Sequence, residues 1–231
     1  MRVTNQMMST TYLKDLNKNL NNLNTLNKQL TTGKEISKPS DNPFKTARIM
    51  QMYSDISANK QYNENIKDTI NWLDTTDVAL EQIGNSAQRI RELMVSAGNA
   101  SYGSDEKNAL KEEINEKINE IAQVLNTNYD GKYIFGGTKS LSKPVGVEKD
   151  SNGNNILVFK DDNGNSFNEE GKAYIKNADG TITRDANGNL AVEANPKPEY
   201  EKLLNQMNAN LSVEVSNGVN MNYNVGTPSI L

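Results

Sequence analysis

The chain has 231 residues, 35% of them hydrophobic, a formal net charge of −4 from interspersed Lys, Arg, Asp and Glu, and neither Cys nor His. This composition allows one or two domains with a modest core. It offers no basic stripe for nucleic acid and removes disulfides, thiolate nucleophiles, imidazole bases and the usual zinc and copper ligands together.

No apolar run approaches the roughly 18 residues of a membrane-spanning helix, the clearest being Ile156 to Phe159. The opening Met1-Arg2-Val3-Thr4-Asn5 lacks the apolar core of a cleaved secretory signal. In the first segment Leu13, Leu16, Leu20, Leu23 and Leu30 follow a 3-then-4 spacing, with Asn27 in one expected slot and Leu26 beside it. The pattern predicts a narrow coiled-coil seam opposite an Asn- and Lys-rich face. Asn is a mediocre helix former, so this helix is marginal alone in water. By periodicity alone it is either an ordinary core helix or an intersubunit helix.

Gly33 is placed to end that helix in a left-handed cap. In Lys38-Pro39-Ser40-Asp41-Asn42-Pro43, Asn42 is expected to cap the next helix, with Pro43 in its first turn. From Pro43 to about Gly98 there is no proline. Ile49, Met52, Ile56, Ile66, Ile70, Leu73, Leu80, Ile83, Ala87, Ile90, Met94 and Ala97 keep helical spacing across Gly84, which predicts one helix on the order of 80 Å long. A compact globule of this chain length is roughly 45 Å across, so the expectation is an elongated molecule. After a turn at Gly98 to Gly103, Ser104 is expected to cap a third helix with the stripe Leu110, Ile114, Ile118, Ile121 and Leu125, folding back antiparallel. Two helices cannot enclose the apolar surface around Ile66 to Leu80, so a further helical partner is implied.

Past Asn128 the period becomes strand-like. Asp-x-Asn-Gly-Asn occurs at Asp150 to Asn154, Asp161 to Asn165 and Asp185 to Asn189, with a relative at Asn177 to Thr181. Such turns predict hairpins joining short strands such as Ile156 to Phe159 and Ala173 to Ile175. Calcium loops share alternating Asp and Asn, but counting from Asp161 the sixth position is Ser166 and the twelfth Lys172, where Gly and Glu belong. A short helix around Tyr200 to Met207 and a hairpin about Asn217-Gly218 complete the chain. The paired carboxylates Glu112 with Glu113 and Glu116 with Glu120 read as a solvated face.

Three segments carry a resemblance. The opening Met1-Arg2-Val3-Thr4-Asn5-Gln6-Met7, the stretch Leu30-Thr31-Thr32-Gly33-Lys34-Glu35-Ile36-Ser37 running into Lys38 to Pro43, and Asn126-Thr127-Asn128-Tyr129-Asp130-Gly131-Lys132-Tyr133-Ile134-Phe135-Gly136-Gly137-Thr138 resemble the flagellin-like axial proteins of the bacterial flagellum. Within that family the Pro39-Ser40-Asp41-Asn42-Pro43 form is similar to the hook-associated proteins of type 3 rather than to filament flagellins.

The resemblance implies a mainly α fold with an inserted β domain, a long antiparallel helical rod plus a small antiparallel β domain. Its expected parts are an N-terminal coiled-coil helix at 1–32, the rod at 33–140, a variable outer β domain at 141–197, and a return segment with a β-hairpin packing back on the rod at 198–231. It implies a non-enzymatic structural subunit at the hook–filament junction, exported unfolded through the flagellar type III channel without a cleaved signal and located in the extracellular flagellum. The implied partners are further copies in a helical tier, a hook-side junction protein, flagellin and an export chaperone, with no cofactor, metal, nucleic acid or membrane. The expected subunit interface is Leu13, Leu16, Leu20, Leu23, Leu26 and Leu30 with Ile66, Ile70, Leu73 and Leu80; the helix-linker motif is Gly33, Pro39, Ser40, Asp41, Asn42 and Pro43. Family members carry a long C-terminal helical segment that pairs with the N-terminal helices. This chain ends at Leu231 after the second β element, so the helices read as half of a bundle. Two other readings stand beside this one: a minor flagellin, and a calcium- or glycan-binding module on a coiled coil.

Overall fold

The structure is a computed structural model, and it describes residues 5–36, 38–40, 42–98, 103–185 and 187–231. The chain divides into two compact units, 1–61 and 62–231. It is mainly α with small antiparallel sheets.

The first unit holds α1 (Asn5–Thr32) and the start of α2 (Pro43–Ala97). Five threonines of α1, at positions 10, 11, 25, 31 and 32, bond their hydroxyls back to the carbonyl four residues earlier. Helix α1 buries no residue at all. Gly33 ends it as expected, at φ 64° with its N–H donated to the Gln29 carbonyl.

Helix α2 runs 55 residues and passes through Gly84 unbroken. In the second unit it carries a buried seam at Thr69, Trp72, Thr76, Ala79, Ser86 and Leu93, with Ile83 and Ile90 packed into the same core. Helix α3 (Ser104–Leu125) folds back antiparallel on it, tied by Ser86 Oγ to Glu120 at 3.1 Å and by Arg89 to Glu113 at 2.6 Å. Ser104 does not cap α3. Gly103 holds the extended backbone that a cap position needs, and Ser104 is the first helical residue.

The exit from α3 is a two-residue hairpin, β1 (Asn128–Tyr129) and β2 (Lys132–Tyr133), turned by Asp130 at φ 51° and Gly131 at φ 77°. Ile134 and Phe135 follow and are fully buried. With Trp72, Ala79, Ile121, Val124, Leu125 and Val145 they make the principal core. Asn126 latches this exit to the next strand, donating to the Val145 carbonyl and accepting from the Val145 N–H.

The main sheet has the order β3 (Val145–Lys149), β4 (Asn155–Lys160), β5 (Ser166–Phe167), all antiparallel, with Val145 opposite Phe159 and Phe159 opposite Phe167. Between residues 168 and 197 the described residues make single bridges only, among them Tyr174 with Val192 and Arg184 with Leu190. The expected strand at Ala173 to Ile175 is reduced to such bridges because a turn closes every few residues. Those turns form a series of five, one more than the sequence motif reveals. In each, the N–H of the first residue bonds the carbonyl of the fifth and the fourth is a glycine at φ 71–86°: Asp150 to Asn154, Asp161 to Asn165, Asn168 to Lys172, Asn177 to Thr181 and Asp185 to Asn189. The Asn168 copy, Asn-Glu-Glu-Gly-Lys, escapes the motif because its third residue is Glu, yet Asn168 Oδ1 accepts the same two amides.

Helix α4 (Pro198–Met207) closes this unit with a second core, in which Phe167 stacks on Tyr200 at 4.6 Å and on Phe159 at 5.8 Å. The hairpin β6 (Ser212–Ser216) and β7 (Val219–Asn222) turns about Asn217-Gly218 and meets α2 through Asn65, which donates to the Glu214 carbonyl at 3.0 Å.

A charged node pins the β3–β5 register. The Glu148 carboxylate accepts from Lys160, from Ser166 and, at 2.8 Å, from Lys176. Burial alone would raise the Glu148 pKa, but these hydrogen bonds and the nearby Lys160 charge hold it below its ordinary value. A carboxylate whose folded pKa is depressed stabilises the fold above the unfolded range, near pH 4.3, and loses that contribution as pH falls through the folded value. Acid titration of the tyrosine fluorescence is therefore expected to show a step below about pH 4.3 that Glu148→Gln diminishes.

Candidate assembly interface

The leucines of the α1 seam all face outward, from Leu16 at 44% exposure to Leu30 at 82%. A seam of six leucines left in water forgoes roughly 1.5–3 kcal/mol for each side chain that a partner would bury. Nothing else on α1 compensates, since its described side-chain hydrogen bonds run along the helix itself or into the following linker. A helix of this composition is held by a covering surface rather than by propensity.

The linker between α1 and α2 is organised locally. Asn42 Oδ1 accepts the Lys45 N–H at 3.0 Å and its carbonyl accepts both the amide and hydroxyl of Thr46, which is an N-cap. Pro43 is the first residue of α2, where its missing N–H is an orphan in any case. Lys45 and Glu35 join across the linker at 3.0 Å. Pro39 and Ser40 lie in the turn between them; Asp41 and Ser37 lie outside the described residues. Asn42→Ala is expected to cost about 1 kcal/mol locally, read as a roughly fivefold loss of hydrogen-exchange protection at the Lys45 amide.

Helix α2 in the second unit presents two adjacent seams. One is the buried row already described. The other, one residue further along, is Ile66, Ile70, Leu73, Leu80, Ala87 and Met94, of which Leu80 is 36% and Met94 63% exposed while Ile66 is half-buried. Helical spacing in the sequence merges the two rows, because both obey the 3-then-4 rule and lie about 100° apart. The buried row is hidden in the sequence at Thr69, Thr76 and Ser86, since hydroxyl residues do not announce a core. Their hydroxyls are satisfied where they stand: Thr69 on the Asn65 carbonyl at 2.7 Å, Thr76 on the Trp72 carbonyl at 2.8 Å, Ser86 on Glu120. The 3-then-4 run through Trp72, Ala79 and Leu93 is the signal that identifies this row. Within the first unit Ile49, Met52 and Ile56 are exposed as well.

Beside the buried seam lies a cleft of about 570 Å³ lined by Asp68, Trp72, Tyr129, Asp130, Lys132 and Tyr223 among others. Trp72 meets both tyrosines edge to face, at 5.9 and 5.6 Å, and its buried indole N–H has no acceptor among the described residues.

The Asp-x-Asn-Gly-Asn carboxylates do turn chemistry. Asp161 Oδ1 accepts the amides of Asn163 and Asn165 while Oδ2 accepts the Asn165 side chain. Asp185 accepts the Asn187 and Asn189 amides. Asp150 accepts those of Asn152 and Asn154 and is ion-paired with Arg184 at 2.6 Å. Among the described residues no three acidic side chains converge as metal ligands, and no helix is long and apolar enough to cross a membrane.

The exit of α3 is held from the far end of the chain. Thr138 donates its amide and its hydroxyl to the Gln206 carbonyl, Thr227 donates to the Phe135 carbonyl at 2.7 Å, and Gly137 and Gly226 leave the Met207 carbonyl space that a Cβ at either position would occupy.

Comparison with known proteins agrees with this architecture. The curated flagellin of Salmonella paratyphi A is 29% identical over 145 residues, covering 62% of this chain and 29% of that protein. The phase 1 flagellin of Salmonella naestved is 29% identical over 134 residues, covering 58% and 26%. The chain thus spans under a third of the length of the curated relatives it matches. Among solved structures, a protein assigned as a flagellar hook-associated protein from Vibrio parahaemolyticus shares the fold at TM-score 0.54 and 18% identity, over 84% of this chain and 65% of that one. Flagellar hook-associated protein-3 from Legionella pneumophila does so at TM-score 0.50 and 17% identity, over 77% and 39%. The family profile of the bacterial flagellin N-terminal helical region matches residues 3–140, and the chain, with its paired helices and capped linker, belongs to the flagellin family.

Proposed function

We propose that this chain is a structural subunit of the bacterial flagellum that acts at the hook–filament junction, exported unfolded and assembled by helix packing into a tubular tier. The observation that carries the reading is the uncovered α1 seam: a 28-residue helix with no buried residue and a continuous row of leucines. Such a row is stable only against other helices. The second seam of α2 extends the same kind of surface into the second unit. The likeness of fold to hook-associated proteins favours the junction over the filament. In this reading further copies cover the seams, flagellin and a hook-side protein lie above and below the tier, and an export chaperone holds the leucines in the cytoplasm. The subunit supplies packing surface and no reacting groups.

Deletion of the gene in a flagellated cell is expected to leave hooks intact and to spill flagellin into the medium, with filaments restored by the full-length gene. Normal filaments after deletion overturn the reading. A minor flagellin is the second reading, favoured by the flagellin relatives. The purified protein distinguishes the two, because a flagellin polymerises alone into long filaments and a junction subunit does not.

A further inference from the structure

An asparagine followed by glycine loses its side-chain amide more readily than other asparagines, because glycine carries no side chain to hinder attack by its own backbone nitrogen. The chain has four such pairs: Asn152-Gly153, Asn163-Gly164, Asn187-Gly188 and Asn217-Gly218. All four asparagines are exposed. What surrounds the glycine nitrogen sets them apart.

In the first three pairs that nitrogen is clamped inside a closed turn. The N–H of Gly153 is donated to the Asp150 carbonyl at 3.0 Å, that of Gly164 to the Asp161 carbonyl at 3.2 Å and that of Gly188 to the Asp185 carbonyl at 3.0 Å. The backbone amide of each asparagine is held as well, by the carboxylate of the same aspartate. A neutral carbonyl cannot take the proton that the glycine nitrogen has to lose. Gly218 is placed differently: its N–H is donated to the carboxylate of Glu214 at 3.1 Å. The same carboxylate oxygen accepts from the Tyr62 hydroxyl at 3.3 Å, and Asn65 holds the Glu214 carbonyl at 3.0 Å, so two residues of α2 fix the carboxylate where it stands. A carboxylate within hydrogen-bond reach of the proton to be removed has the geometry of a general base.

We propose that Asn217 is a self-modification site, at which Glu214 promotes deamidation. The Gly218 nitrogen attacks Cγ of Asn217. Its proton passes to the Glu214 carboxylate and on to the departing NH2 group, which leaves as ammonia. The new N–C bond closes a succinimide, and water opens it to aspartate or, with the main chain rerouted through the former side chain, to isoaspartate. Water is the only co-reactant, and nothing is oxidised or reduced. The conversion adds one negative charge at the tip of the β6–β7 hairpin, on the strand end that already carries Glu214. The isoaspartate product also lengthens the main chain by one carbon within a tight turn, which loosens the hairpin and its Tyr62 and Asn65 contacts to α2. Loss of ammonia makes the change irreversible, so it marks the age of the chain.

The test is to incubate the full chain at neutral pH and follow its four Asn-Gly peptides by mass spectrometry, with isoaspartate identified by enzymatic methylation. Asn217 is expected to convert about tenfold or more faster than Asn152, Asn163 and Asn187. Glu214→Gln keeps an acceptor for the Gly218 N–H but cannot take its proton, and it is expected to bring the Asn217 rate down to that of the others. Equal rates at the four sites, or a rate at Asn217 indifferent to Glu214→Gln, overturns the proposal. In concentrated urea the four rates are expected to converge; a lead of Asn217 that survives unfolding overturns the role of the folded geometry. Hydrogen exchange across β6–β7 is expected to speed up in the converted chain, and unchanged exchange overturns the loosening of the hairpin. None of these results bears on the junction reading, which filament growth decides.

Discussion

Replacing Gly137 by alanine is expected to destabilise the second unit by on the order of 3 kcal/mol. Two effects add. Gly137 sits at φ 57°, ψ −129°, a region essentially closed to residues with a side chain. An added Cβ would also stand 2.4 Å from the Met207 carbonyl oxygen and 2.5 Å from that of Gln206. Both obstacles are backbone at the C-terminal turn of α4, which is itself held by Thr138 and by the second core. Nothing there yields without separating α4 from the α3 exit. Thermal unfolding of the variant is expected to shift down by roughly 6–12 °C for a unit of this size. Gly226→Ala should destabilise through the steric effect alone, since its Cβ would meet the same Met207 carbonyl at 2.3 Å with an ordinary φ. Gly136→Ala is the control, because its nearest neighbour is the Tyr133 Cβ at 3.5 Å. Equal stability of Gly137→Ala and Gly136→Ala would show that the glycine clamp is not what joins these elements.

The second large effect concerns assembly and leaves folding alone. Leu16→Asp combined with Leu23→Asp puts two carboxylates into the α1 seam, where any covering helix would have to desolvate them. Filament growth is expected to fail in cells that carry only this variant, with hooks present and flagellin in the medium. Helix α1 buries no residue, so the stability of residues 62–231 should stay within about 0.5 kcal/mol of the parent. Electron microscopy of filament number and an unfolding curve of the same variant check both halves. Normal filaments would remove the α1 seam from the assembly surface; a destabilised second unit would mean that the leucines serve the fold.

The local punctuation of this chain was readable residue by residue. Gly33, Asn42 with Pro43, and the Asn-Gly turns each act through backbone preferences that depend on a few neighbours, and all appear where their chemistry puts them. The fifth turn at Asn168 shows where a motif fails and its physics does not, because the side-chain acceptor and the left-handed glycine suffice without the Asn-Gly pair. Ser104 shows the converse, a good capping residue passed over for Gly103, whose backbone already had the conformation.

The site was legible in outline only. Periodicity showed that α1 and α2 carry apolar rows, but both α2 rows satisfy the same spacing. The row richer in aliphatic residues, Ile70, Leu73 and Met94, is the one left in water, while Thr69, Thr76 and Ser86 are inside. Short-range sterics and counting suffice for the course of the helices, the caps at Gly33 and Asn42, the Asn-Gly turns and the presence of apolar rows on α1 and α2. Which α2 row faces α3 and the sheet is set by packing. That choice depends on how closely the elements approach and on whether a hydroxyl finds a carbonyl at the fourth residue back, and neither is written in the spacing of the leucines.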